Sequence, residues 1–186
     1  LLSACITAPI VGRLGDMYGH VLVLRIAMLV MTGGMLLQAV SWSFETLLAA
    51  RFIQGCGGAI IPLCYVILRR LLPTDRVPAA LGLVSSMAAV GGGAGLVLVG
   101  LVVELGDFHL AFWSAGTIGI LSSIAVFLGI PLSKEAREAQ RLDLLGAILM
   151  AMWLSLILVV VSMGGSLGWL SVPVVAMFVG AIGTFA

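Results

Sequence analysis

Gly12-Arg-Leu-Gly-Asp-Met-Tyr-Gly-His20 sets an arginine, an aspartate, a histidine and three glycines between two apolar runs, Leu1–Val11 and Val21–Val40. A hydrocarbon layer of about 30 Å takes about 20 helical residues at a rise of about 1.5 Å each. Val21–Val40 has that length, so the polar cluster reads as a connection between two membrane spans. Outward from it the same pattern repeats: Leu47–Leu72, Ala79–Val103, Leu110–Ile130, Leu144–Met163 and Leu170–Ala186 are apolar runs bounded by polar clusters. Seven helices are predicted, five of them complete. The first residue is not methionine and both ends fall inside apolar runs, so the chain is expected to be part of a longer protein.

Composition points the same way. Hydrophobic residues make up 62% and charged residues 9% of the chain, and mean hydropathy is +1.27, well outside the range of water-soluble domains. Lipid offers the backbone no hydrogen-bond partner, so spans must be helices or a closed barrel, and the runs lack a barrel's alternation. The expected fold is all-α, a polytopic membrane bundle. Nine basic against eight acidic residues supply no field for nucleic acid. Cys5, Cys56 and Cys64 lie in apolar runs without a ligand spacing and read as packing residues. No phosphate-binding loop, metal cluster or catalytic triad appears, so no enzyme chemistry, metal or cofactor is expected.

The charges sort by loop. Arg13 and Arg25 mark the first connection, Arg69, Arg70 and Arg76 the third, and Lys134, Arg137 and Arg141 the fifth; the second, fourth and sixth carry no basic residue. That alternation follows the positive-inside rule, placing the odd-numbered loops in the cytoplasm of a cell-membrane protein. Trp42, Trp113 and Trp169 lie near the opposite ends, where interfacial aromatics collect.

Arg51 breaks the sorting. It sits inside the run Leu47–Leu72, where a cation costs roughly 2.5–3.5 kcal/mol on insertion scales and has to face protein or water. Gln54, Gly55, Gly58 and Pro62 follow at helical spacing, so one inward, polar or small face is expected. Arg51 can serve proton coupling, since a buried cation lowers the pKa of a nearby carboxylate; it can equally be a helix tie bonded to carbonyls.

Three stretches together resemble the major facilitator superfamily, in its fourteen-helix drug:proton antiporter branch. Gly12, Leu14, Asp16 and Gly19 match motif A, G-x-L-a-D-r-x-G-r-k, of the loop between the second and third helices. Met17, His20 and Val21 stand where that motif has basic residues, so ion pairing there is expected to be weaker or to fall to Arg13 or Arg25. Alone, the stretch could be a turn with a capping aspartate. Arg51-Phe-Ile-Gln54-Gly55-Cys-Gly57-Gly58-Ala59 is similar to motif B, R-x-x-Q-G-x-G-x-A, of the fourth helix. The resemblance implies a coupling role for Arg51 with Gln54, and close packing at Gly55 and Gly57. Gly91, Gly95 and Gly100 match the glycines of motif C, G-x-x-x-G-P-x-x-G-G, in the fifth helix, while Leu96 replaces its proline and Val99 one of its paired glycines. A small-residue stripe, Gly82, Ser86, Ala89, Gly93 and Gly100, suits a helix wedged between neighbours; a gating role and simple close packing both remain open.

The resemblance implies a partial major facilitator fold: residues 1–131 as helices 2–6 of the N-terminal bundle, 132–142 as a cytoplasmic loop, and 143–186 as two linking helices. It implies export of small amphipathic molecules in exchange for protons, multidrug efflux and antibiotic resistance being the type, with the proton carrier an acid of the first helix. A metabolite symporter or exporter of the same fold, or a membrane scaffold or receptor that transports nothing, are the alternatives. The expected partners are a small-molecule substrate, protons and the lipid bilayer; the oligomeric state is not encoded in any motif.

Overall fold

The structure, a computed structural model, describes residues 2–104, 108–132, 144–168 and 171–185. Among the described residues eight α-helices follow one another: α1 Leu2–Tyr18, α2 His20–Ala39, α3 Phe44–Gln54, α4 Ile60–Leu71, α5 Val77–Glu104, α6 Phe108–Gly129, α7 Leu144–Leu167 and α8 Val172–Phe185. A 3-10 segment, Gly55–Ala59, joins α3 to α4 within one 28-residue apolar rod, Phe44–Leu71. Among the described residues five stretches are long and apolar enough to cross a bilayer. The expected loop 132–142 falls almost wholly outside the described residues, as do Asp107 and Trp169.

The first connection is shorter than its sequence implied. Expected as a loop, Gly12–Tyr18 is helical, the last part of α1, and the reversal takes place at Gly19 alone, with φ 99°. Only glycine adopts that backbone without steric cost, which is why a single residue suffices. α3 starts on the Ser43 side chain, which accepts from the Thr46 N–H at 3.2 Å, with Glu45 in the first turn. Over the GCGGA sequence the helix tightens into 3-10 geometry, and Pro62 follows in the first turn of α4, where its missing N–H does no harm.

α2 is the hub. Val21, Val23, Leu24 and Met28 form the buried core with Leu63 and Ile67 of α4, and Val11, Leu14 and Val126 pack against it. α2 and α6 run antiparallel along their whole length, with contacts in step: Arg25 with Phe127, Thr32 with Ser123, Leu36 with Gly116, and Ser41 with His109. Small residues permit this closeness. A Cβ on Gly116 would lie 2.8 Å from Leu36 Cδ2, and one on Gly119 3.1 Å from Thr32 Oγ1. α7 packs against α8 and α1, where Ile6 and Ile10 face Ile148, Met152 and Leu156 across a small apolar cavity of about 390 Å³.

α5 departs from expectation. The small-residue stripe implied a helix wedged between neighbours, yet a Cβ placed on Gly82, Gly91, Gly92, Gly93, Gly95 or Gly100 would meet no described atom within 4 Å. The helix touches α6 and α4 only lightly, notably where Tyr65 Oη and Ser85 Oγ share a hydrogen bond of 2.7 Å.

Candidate functional site

Two polar constellations stand out, one at each end of the α1, α2 and α3 packing. The first surrounds Arg51. Seven residues beyond the start of α3, about 10 Å along the axis, its Nη1 donates to Gln54 Oε1 at 2.8 Å. Gln38 on α2 donates to the same oxygen through Nε2 at 3.0 Å, and to the Gly34 carbonyl at 3.3 Å. Gln54 Oε1 is therefore held by two donors from two helices. Arg51 is exposed, Gln54 half-buried and Gln38 only 1% exposed.

The chain can bring α2 and α3 this close because of Gly34. A Cβ there would lie 2.7 Å from Gln54 N and 3.0 Å from Ala50 O, both backbone atoms that cannot swing aside. On the other side, a Cβ on Gly55 would strike the Ser3 hydroxyl, one on Gly57 the Met31 thioether and one on Gly58 the Ala4 methyl. The motif B glycines are contact points with α1 and α2. Thr7 Oγ1 of α1, which donates to the Ser3 carbonyl at 2.8 Å, also lies 3.3 Å from the Gly55 carbonyl.

Ser3, Met31, Leu48, Phe52, Arg51 and Gln54 line a cavity of about 770 Å³. One guanidinium and one amide thus face a mostly apolar space, the composition that suits an amphipathic ligand. Arg51, Gln54, Gly55 and Gly58, four residues of the face expected from Arg51 to Pro62, line this cavity together, and Pro62 is not among its lining residues.

The second constellation is the motif A turn. Asp16 Oδ1 lies 3.1 Å from His20 Nε2, with the His20 side chain 3% and the Asp16 side chain 40% exposed. The pairing expected to fall to Arg13 or Arg25 instead falls to His20, the residue standing where the motif has a basic one. Arg25 is committed elsewhere: its Nη2 donates to the carbonyls of Phe127 at 3.0 Å and Ile130 at 2.7 Å, and its guanidinium lies 4.7 Å from the Phe127 ring. It closes the C-terminal end of α6, where free carbonyls and the helix dipole favour a cation. Leu14 packs on the core, and Gly12 has open space where a side chain would go. Arg13, Arg69, Arg70 and Arg76 are exposed, and the parallel course of α1 and α4 brings them to this same end of the bundle.

Gly91, Gly95 and Gly100 join neither constellation. Sequence reasoning passed over Gln38 and Gly34; a lone glutamine in an apolar run was the available signal for the first. Among the described residues no group of three or more metal-ligating side chains could hold an ion.

The profile of the Major Facilitator Superfamily matches residues 1–186. A candidate multidrug resistance protein MdtD of Pectobacterium carotovorum is 30% identical over 179 residues, covering 96% of this chain and 37% of the relative. The proteins of the same name in Escherichia fergusonii and Escherichia coli are 29% identical over 187 residues, covering all of this chain and 39% of each relative. The chain thus spans about two fifths of the length of these relatives.

Proposed function

The chain belongs to the major facilitator superfamily, and on that premise we propose that it forms the N-terminal part of a proton-coupled antiporter exporting small amphipathic molecules. The observation that carries this reading is Arg51: a cation within an apolar rod, lining a mostly apolar cavity and bonded to a neutral amide that a second amide anchors. Asp16, with its 3.1 Å contact to His20, lies at the far end of the bundle. A guanidinium so placed has donors to spare for a carboxylate brought by another helix. We place that acid on the first helix of the full-length protein. Beside the cation it favours its charged form; withdrawn from it, desolvation favours the protonated form. Protonation then decides which arrangement of the two bundles is preferred, and substrate moves as they rock around a midplane site. Substrate passes unchanged, so the protein is a carrier and not an enzyme.

The names of the bacterial relatives support a multidrug substrate range, and the basic end of the bundle, with Arg13, Arg69, Arg70 and Arg76, supports a cytoplasmic orientation in the inner membrane. Residues 1–131 then belong to the N-terminal bundle and α7 and α8 to a linking pair. The motif A turn acts as a cytoplasmic latch through Asp16. The test is a pH gradient, acid inside, across inverted vesicles containing the full-length protein. Addition of an amphipathic cation such as ethidium should release lumenal protons and drive ethidium inward. Proton release absent under every substrate tried would leave the scaffold reading, and proton movement in the same direction as substrate would mean symport.

A further inference from the structure

Gln38 is a costly residue for its place. It is 1% exposed, and its Oε1 has no hydrogen-bond partner among the described residues. The amide orientation is dictated by its surroundings, since Nε2 faces two acceptors, the Gly34 carbonyl and Gln54 Oε1; reversing it would set oxygen against oxygen. A buried, unpaired carbonyl oxygen destabilises a fold relative to an apolar side chain of the same shape. Packing alone would be served better by methionine or leucine. What the glutamine does that they cannot is grip Gln54 Oε1, the atom that also receives Arg51 Nη1.

Gln54 alone would be a loose support for Arg51. Both project from α3, three residues apart, and their side chains could swing together. The anchor from α2 changes this: Gln54 Oε1 is fixed to a second helix whose backbone is pressed against α3 at Gly34. Three side chains, Gln38, Gln54 and Arg51, therefore run from the buried seam to the cavity wall. We propose that Gln38 is a positioning residue for proton coupling, acting through Gln54 to fix the guanidinium of Arg51 toward the cavity; this rests on the coupling role proposed for Arg51.

The consequence has a sign. A guanidinium held in place stabilises a facing carboxylate's charged form; one free to wander stabilises it less, so the acid keeps its proton to higher pH. The experiment is the pH dependence of proton-driven ethidium efflux by the full-length protein in inverted vesicles, for the parent, Gln38→Met, Arg51→Lys and the double variant. Methionine preserves volume and removes the grip. Gln38→Met should move the midpoint upward by about half a pH unit, the size expected for losing one modest hydrogen bond. Arg51→Lys should move it the same way, and the double variant should match Arg51→Lys, because the anchor has nothing left to orient. A parental midpoint in Gln38→Met, whatever its rate, would overturn the inference, as would shifts that add in the double variant. A parental midpoint in Arg51→Lys would instead overturn the coupling role and the inference with it. Should Gln38→Met not reach the membrane, Gln38→Asn, polar but one methylene too short to reach Gln54, is held to the same outcomes.

Discussion

At the scale of single residues, neighbours that look alike in sequence do different work. Gly33 and Gly34 are adjacent in α2, yet a Cβ on Gly33 meets nothing within 4 Å and one on Gly34 meets the α3 backbone. Gly33→Ala in the full-length protein should leave thermal stability in detergent unchanged or raise it slightly, since alanine is the better helix former by about 0.5–1 kcal/mol. Gly34→Ala should lower it by about 1–3 kcal/mol, the cost of forcing packed backbones apart, and should weaken transport by separating Gln38 from Gln54. Equal effects would refute the α2/α3 crossing described here. This contrast could not be read from sequence, because helical periodicity says which face a residue occupies and not how near the next backbone lies. Arg51 and Gln54 were legible because a cation inside an apolar run is costly and calls for an explanation. Gln38, uncharged, raised no such alarm.

At the scale of elements, span positions were legible from apolar run length alone: Val21–Val40 became His20–Ala39 and Ala79–Val103 became Val77–Glu104. What length could not convey was how helices end. Gly12–Tyr18 looked like a loop because it is polar, but polarity only marks exit from lipid, and a helix continues until a residue such as Gly19 turns it. Arg25 teaches the same lesson, since a basic residue just inside α2 read as a loop charge and instead closes α6. Arg25→Met should destabilise the full-length protein by about 1–2 kcal/mol, the range for a cation bonded at a helix C-terminus. Arg25→Lys should lose less, keeping the charge but not the two-point grip. Thermal unfolding in detergent checks both; a methionine variant as stable as the parent would show that α6 needs no such closure.

At the scale of the whole molecule, the helices are ordered so that the Asp16–His20 turn, Arg25, the last-turn arginines of α4 and Arg76 beyond it share one end, with Trp42, Glu45 and His109 at the other. Impermeant thiol labelling in intact cells, in a background where every native cysteine of the full-length protein, Cys5, Cys56 and Cys64 among them, is serine, should modify Glu45→Cys and spare Thr74→Cys, and inverted vesicles should reverse this. The opposite pattern would overturn the orientation. In α5 the motif C glycines were legible, but no described side chain packs on them, so among the described residues neither the gating role nor the close packing that the sequence left open finds a partner. The coupling role of Arg51 is tested most directly by efflux driven by a pH gradient in inverted vesicles carrying the full-length protein, with folding verified for each variant. Arg51→Ala should abolish proton-driven efflux while exchange of substrate across the membrane without a gradient persists, and Arg51→Lys should retain part of the driven rate. An alanine variant that moves substrate and protons at the parental rate and stoichiometry would make Arg51 a structural tie and contradict the coupling role assigned to it.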